Sequence, residues 1–370
     1  MNTPRGVLTI CAFLLLACGA PTSTGQTGGQ KPDAAPVPVT APPSGVASAA
    51  AANTAPEKVA LGEVGSASDA GLYIAIDKGY FAEQRIEVER SRFTTAAEMV
   101  PALGLGQLDV GGGAPSAGLM NAITRDIPLK IVADKGNVNP GYGFQAIMVR
   151  KDLWDSGAVR GPADFKGRII ALNARDITPE VLMDTYLRTA GLTINDVDVV
   201  TLGFPDMIAA LANNSVDVAL PIEPFATQIV EAGTAVVAAR ADTVIPGQQV
   251  AVILYGPKFV QERPDVARRF MAAYVKGLRD YNDAFSKRDA AKRSEVVEIL
   301  IKYTPVKDTA VYDKMIMPGL DPNGKVATNS LENSQDWWLA KGSQNTRADL
   351  TRIVDSQYVD WAVQQLGPYR

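Results

Sequence analysis

Gly111-Gly112-Gly113-Ala114-Pro115-Ser116 is the segment whose residue types most plainly suit contact with a guest molecule. Glycines there let backbone N–H groups come close to a ligand, and a helix starting near Pro115 would aim its positive end at the same spot. No Gly-Lys-Ser/Thr follows, so this is not a nucleotide-phosphate loop. A tight turn without a ligand would use the same residues. Two other loops carry helix-capping chemistry. In Gly65-Ser66-Ala67-Ser68-Asp69, Ser68 or Asp69 can cap the helix that follows, and further on Thr178 can cap a helix that Pro179 opens. Histidine is absent, and the only cysteines are Cys11 and Cys18. That removes the commonest general base and the commonest metal ligand. No Gly-x-Ser-x-Gly elbow occurs, and a serine hydrolase lacking histidine would need a lysine base. The expectation is a binding protein rather than an enzyme, with no metal and no cofactor.

The elements that must position these loops repeat. Met99, Ala102, Leu103, Asp109 and Val110 recur as Met207, Ala210, Leu211, Asp217 and Val218, at a constant offset of 108 residues. Each copy reads as a helical apolar pattern, a short strand opened by Asp-Val, a loop and a helix, with Pro115, or Pro221 and Pro224, after the strand. Two similar α/β halves imply a cleft between them, with ligand at the carboxyl ends of parallel strands. Val59, Leu61 and Val64 suggest a first strand, and Leu72, Tyr73, Ile76 and Tyr80 one helical face that Gly79 ends. Ile86 and Val88 alternate with glutamates as a half-exposed strand. Thr95 and Glu98 form a capping-box pattern for a helix that Pro101 should bend or delay. Val250–Leu254 reads as the return of the chain to the first half, followed by helical patterns over Val266–Phe285 and Val296–Lys302, then a Trp337-Trp338 pair.

At 370 residues with a net charge of −4, the chain suits two α/β domains and no nucleic-acid partner. Arg5 and the apolar run Val7–Ala17 are too short to span a bilayer and read as a secretory signal. With Leu15-Leu16-Ala17-Cys18 the segment resembles a bacterial lipoprotein signal, which implies cleavage after residue 17 and lipidation of Cys18. Residues 18–57, rich in Pro, Ala and Gly, read as an extended tether. One lobe is then expected from 58–148 and 249–370, and the other from 149–248.

Gly71-Leu72-Tyr73-Ile74-Ala75-Ile76-Asp77-Lys78-Gly79-Tyr80-Phe81, followed by Ile86-Glu87-Val88, resembles the opening signature of the solute-binding proteins of sulfonate, nitrate and taurine importers. These share a superfamily with the thiamine-pyrimidine synthesis and binding proteins. Gly106–Gly112, Phe165–Arg168 and Asp217–Phe225 match further blocks of that signature, and the resemblance runs from about Val59 to Val260. It implies the type II periplasmic-binding fold, two α/β lobes on a hinge. The function implied is that of a monomeric, lipid-anchored protein at the extracytoplasmic face of the cell membrane, delivering a small molecule to the permease and ATPase of an ABC transporter. The ligand contacts it implies are Ser66, Asp69, Tyr73, Gly112, Ala114, Pro115, Ser116, Asn173, Arg175, Thr178, Glu223 and Phe225. Each also has a plain role open to it: Ser66, Ser116 and Thr178 as caps, Tyr73 as core, Glu223 as a tie within its own loop, Arg175 with Asp176 as a solvated pair.

Tyr73, Tyr142 and Phe225 around a flat ring, with Glu223 accepting from a ring N–H or an amine, would favour a nitrogen-rich heteroaromatic. Within the superfamily that the chain resembles, such ligands include riboflavin and the thiamine pyrimidine. The proline-alanine tether and the chain as a whole resemble the riboflavin-binding lipoproteins of that group, which implies riboflavin first and the thiamine pyrimidine second. The alternative is an aliphatic sulfonate, taurine or nitrate held by Arg175 and helix ends. A ligand sensor for a signalling partner, or a thiamine-pyrimidine synthesis enzyme, are the readings from other classes. Relatives that make the pyrimidine use a histidine and a cysteine-rich motif that this chain lacks.

Overall fold

Among the described residues ten strands form, most of them from β-branched and apolar runs. The computed structural model describes residues 55–125 and 127–370, so the signal, Cys18 and nearly all of the tether lie outside the described residues. The strands are β1 (Glu57–Glu63), β2 (Ile86–Arg92), β3 (Val110–Gly113), β4 (Lys130–Asn137), β5 (Ala146–Arg150), β6 (Ile169–Leu172), β7 (Asp198–Thr201), β8 (Val218–Ala219), β9 (Ala235–Arg240) and β10 (Gln249–Tyr255). β10 is buried along its whole length and the edge strand β4 beyond its first residue, whereas the opposite edge strands β2 and β7 expose most of their residues.

Two five-stranded sheets result, in the orders β2-β1-β3-β10-β4 and β7-β6-β8-β5-β9. In each, three strands run parallel and are followed by two antiparallel pairings. The repeated aspartates explain why the orders match. Asp109 Oδ2 accepts the Ala60 N–H at 2.9 Å and pairs with Arg263 at 3.2 Å. Asp217 Oδ2 accepts the Ile169 N–H at 3.1 Å and its Oδ1 pairs with Arg150 at 3.2 Å. Each carboxylate ties the start of one parallel strand to its neighbour, so the repeat is a structural device performed twice. The α/β class with two related halves is the expected one.

The chain crosses between sheets twice, from β4 into β5 and from β9 into β10. The break expected at 148/149 falls inside β5, which pairs only with β8 and β9. β1 likewise starts at Glu57, inside the stretch read as tether. Local expectations need four corrections. Tyr80 opens a separate short helix, Tyr80–Glu83, because Gly79 turns left-handed (φ +75) after Asp77 ends the first. Pro101 neither delays nor stops the helix Ala96–Leu105, which begins directly after Thr95. That helix tolerates it at the cost of one backbone donor. Thr95 makes no side-chain cap; Glu98 instead accepts the Thr94 N–H. Thr178 sits inside helix Thr178–Arg188, and its hydroxyl donates to the Val250 carbonyl rather than capping.

The long helix Pro264–Phe285 lies against Ala70–Asp77, and the two approach through glycines. A Cβ on Gly277 would stand 2.2 Å from the Gly71 carbonyl oxygen, so no other residue fits there without parting the helices. The helix Thr328–Lys341 covers the first sheet, with Leu331 and Trp338 in a cluster with Met99, Leu103, Val252 and Leu254. No described helix is long and apolar enough to cross a membrane.

Candidate functional site

Loops leaving β1 and β3 face loops leaving β6 and β8, and they touch. The Ala67 N–H donates to the Glu223 carbonyl (3.3 Å), the Ala117 N–H to the Asp176 carbonyl (2.9 Å) and the Thr178 N–H to the Pro115 carbonyl (3.3 Å). Ser116 and Ile177 form an antiparallel bridge between the same loops. Behind these contacts lies a cavity of about 30 Å³, with Val64, Ser68, Thr95 and Ala114 on one side and Asn173, Phe204 and Ile222 on the other. That is room for about two water molecules, so an organic solute enters only if the loops part.

The glycines expected as a loop are strand β3 itself: Gly111, Gly112 and Gly113 pair with β10, and Gly111 also with β1. The segment leaves the sheet only at Ala114, and of the three glycines only Gly113 lines the cavity. Gly112 has no side chain because the stem of Lys135 passes where one would stand, 2.8 Å from an added Cβ. The Lys135 ammonium pairs with Asp69 Oδ1 at 2.8 Å and donates to Ser68 Oγ at 3.0 Å, with both charges fully buried. Asp69 Oδ2 also accepts the N–H groups of Gly65 (3.1 Å) and Ser66 (2.9 Å), and Ser66 Oγ lies 2.9 Å from Ser68 Oγ. Asp69 and Ser66 thus shape the first loop, and Ser68 faces the cavity. Ala114 lines the cavity, Pro115 gives its carbonyl to the opposite loop, and Ser116 caps Ala117–Thr124 by accepting the Leu119 N–H at 3.0 Å.

On the other side, Asn173 lines the cavity, and its buried Oδ1 has no partner. Thr178 is buried in the contact between loops. Arg175 points outward, 40% exposed, and pairs with Glu180 at 2.8 Å, so the plain ion-pair role holds, with Glu180 rather than Asp176 as partner. Phe225 stacks behind Phe204, ring centroids 5.7 Å apart, and Phe204 is the ring that reaches the cavity.

Three residues lie elsewhere than a ring-binding site requires. The Glu223 carboxylate is fully buried and engaged, with Arg240 at 3.0 Å and the Thr227 N–H at 2.9 Å. Beyond the expected tie within its own loop, it fastens that loop to β9 through Arg240 and to the segment at Ile316, whose N–H it accepts at 3.4 Å. Tyr73 is a core residue, stacked on Tyr303 with centroids 5.2 Å apart, and burial with nearby Asp69 and Glu63 holds its phenol far above the usual range. Tyr142 reaches Ser286 Oγ (3.1 Å) at the far end of the long helix and does not line the cavity.

Gln145 was not singled out by the sequence reading. It is fully buried, and neither amide atom has a hydrogen-bond partner among the described residues. It is bridged antiparallel to Ile222, which lines the cavity, and directly opposed residues of such a pair share a face. The signal was present: a lone amide heading the apolar run Ala146–Val149. Buried polar groups are rarely left unpaired unless something else pairs them.

Comparison with known proteins agrees with this geometry. A putative binding protein of Brucella abortus (strain 2308) is 25% identical over 275 residues, 72% of this chain and 77% of the relative. Among solved structures, the periplasmic nitrate-binding protein NrtA of Synechocystis PCC 6803 superposes with a TM-score of 0.73 at 17% identity, covering 84% of this chain and 89% of that one. The alkanesulfonate-binding protein SsuA of Xanthomonas axonopodis pv. citri, bound to MOPS, gives 0.65 at 17% identity over 82% and 99%. The desulfurization enzyme DSZB gives 0.57 at 15% over 84% and 99%, so the fold by itself does not separate binding from catalysis. At these identities the neighbours speak for the fold, that of type II periplasmic binding proteins. Residues 66–284 match the family model described as NMT1/THI5 like, and the chain belongs to that family.

Proposed function

We propose that this protein is the extracytoplasmic solute-binding component of an ABC importer, held at the membrane by a lipid on Cys18, and that its solute sits between the two sheets. The observation that carries the reading is the cavity itself. It lies at the carboxyl ends of parallel strands of both sheets, where two-lobed α/β proteins place ligands, and is lined by Asn173, whose buried Oδ1 has no partner among the described residues. The three backbone hydrogen bonds across it exist only while the loops meet. A solute contacting both sides adds to them and selects the closed form, which is the form suited to docking on a permease.

Uncharged groups dominate the lining: Ser68, Thr95 and Asn173 among apolar side chains, with Phe204 as the flat surface. That chemistry favours a neutral solute with a flat apolar face and a few hydrogen-bonding atoms, and keeps the thiamine pyrimidine and riboflavin as the first compounds to test. The contacts proposed are Ser68, Thr95, Ala114, Gln145, Asn173 and Phe204. Glu223, Tyr73 and Tyr142 are left out. A small anion is the second reading, favoured by the Ser116-capped helix start; Lys135 adds nothing to it, because Asp69 neutralises its charge in the interior. The nitrate- and alkanesulfonate-binding neighbours add to it.

A thermal-shift screen of the protein with riboflavin, the thiamine pyrimidine, taurine, alkanesulfonates and nitrate tests both readings. A solute at a hundred times its dissociation constant adds about 2.7 kcal/mol of apparent stability. Stabilisation by a heteroaromatic supports the first reading, and stabilisation by anions alone replaces it with the second. No response from any of them, together with no affinity for a small molecule by calorimetry, overturns solute capture.

A further inference from the structure

The helix Thr328–Lys341 touches both sides of the cleft. Its start is fastened to the first sheet: the Ala327 N–H donates to Gln249 Oε1 (2.8 Å), and the Gln249 N–H to Ser330 Oγ (2.8 Å). Its last turns reach the second half. Trp337 Nε1 donates to Asp184 Oδ2 at 2.7 Å. Lys341 Nζ sits 2.7 Å from Asp176 Oδ1 and 3.1 Å from both Glu180 oxygens. Glu180 and Asp184 are almost completely buried. They stand four residues apart on helix Thr178–Arg188, as Trp337 and Lys341 do on theirs, so the two helices meet rung to rung.

We infer that this helix end is a latch for the closed cleft, and that Lys341 and Trp337 are positioning residues for solute capture. The inference rests on the capture mechanism proposed above. Lys341 holds Asp176, whose carbonyl receives the Ala117 N–H across the cleft, and it neutralises Glu180 at the start of the same helix. For the Asn173–Thr178 loop to withdraw, buried Glu180 must give up one of its two cations, and buried Asp184 one hydrogen bond, to a helix end anchored to the first sheet. They then keep only Arg175 and Arg188 as cations, and removing a partner from a buried charge is disfavoured. Arg175 is the other cation on Glu180, but it rides on the moving loop and resists nothing. The latch lies outside the cavity, so it sets how often the cleft opens without touching the solute.

Amide hydrogen exchange of the full chain, with no solute added, tests this directly. The Ala67, Ala117 and Thr178 amides report cleft opening, and the Val252 and Ile253 amides of β10 report the interior. In Lys341→Met the three cleft amides should exchange about tenfold faster while the β10 amides keep their rate. Lys341→Arg should restore the slow rate. Trp337→Phe keeps the bulk and removes one hydrogen bond, and should give a smaller change of the same kind, about threefold. Cleft amides at the wild-type rate in both variants overturn the latch, as does acceleration of β10 in step with them. Because no solute is present, failure of the solute screen leaves this result intact, and the reverse holds too.

Discussion

Gln145 and Asn173 carry a cost that a purely structural residue would not. A buried amide without partners destabilises the fold by about 1–3 kcal/mol relative to an apolar group of similar shape. Gln145→Met should therefore raise the unfolding free energy by about 1–2 kcal/mol in urea titrations and weaken solute binding several-fold. A variant that loses stability instead would mean that Gln145 has a partner and is not waiting for one. Asp134 makes a second prediction at this scale. It accepts from Gly136, Asn137, Gln249 and Asp321, yet complete burial pushes its carboxyl from 3.8 up to about 6. Below pH 3.8 both folded and unfolded chains hold this proton. Between 3.8 and 6 the unfolded chain releases it first, so the folded state binds more protons and stability falls as pH rises. The stability of the wild type relative to Asp134→Asn should drop by at most about 3 kcal/mol from pH 4 to pH 7 and stay level above. A flat difference across that range would place Asp134 at its ordinary value.

Among elements, the contact between Ala70–Asp77 and Pro264–Phe285 decides how the first lobe is built. Gly277 faces the Gly71 carbonyl with no room for a methyl group, whereas in an exposed helix alanine is preferred over glycine by up to about 1 kcal/mol. Gly277→Ala should reverse that sign and lower stability by about 2 kcal/mol or more, read as a fall in melting temperature. A gain would show that the helices shift apart freely. The duplicated Asp109 and Asp217 act at the same scale. Each joins neighbouring strands at their starts, so substituting either aspartate should loosen one sheet and leave the opposite one in place.

For the whole molecule, the proposed capture requires two sheets, joined by two crossing segments, to open and close around a cavity far smaller than any candidate solute. A solute that fits should slow exchange at the Ala67, Ala117 and Thr178 amides together, because all three bonds belong to one closure. Slowing at only one of them would describe a surface site rather than a clamp. The latch works against the same motion from outside, so a weakened latch costs affinity even with every contact residue intact.

Periodicity and one repeat in the sequence determined the class of fold and the order of helix, strand, loop and helix, but not that Gly111–Gly113 are the strand itself and only Ala114–Ser116 the loop after it. The class and the order follow from local rules: an apolar stripe and an Asp-Val start behave alike wherever they occur. Tertiary structure alone decided which polar groups remain free for a guest. Glu223, Tyr73 and Tyr142 have residue types suited to a ring, but Arg240, Tyr303 and Ser286 occupy them, and those partners are 17 to 230 residues away along the chain. Lys135 and Asp69 lie in separate strand and loop segments and become a buried pair only when the sheet forms. Gln145 runs the other way: an unremarkable amide in the sequence, it draws attention only because folding buries it opposite the cavity-lining Ile222 with no hydrogen-bond partner among the described residues.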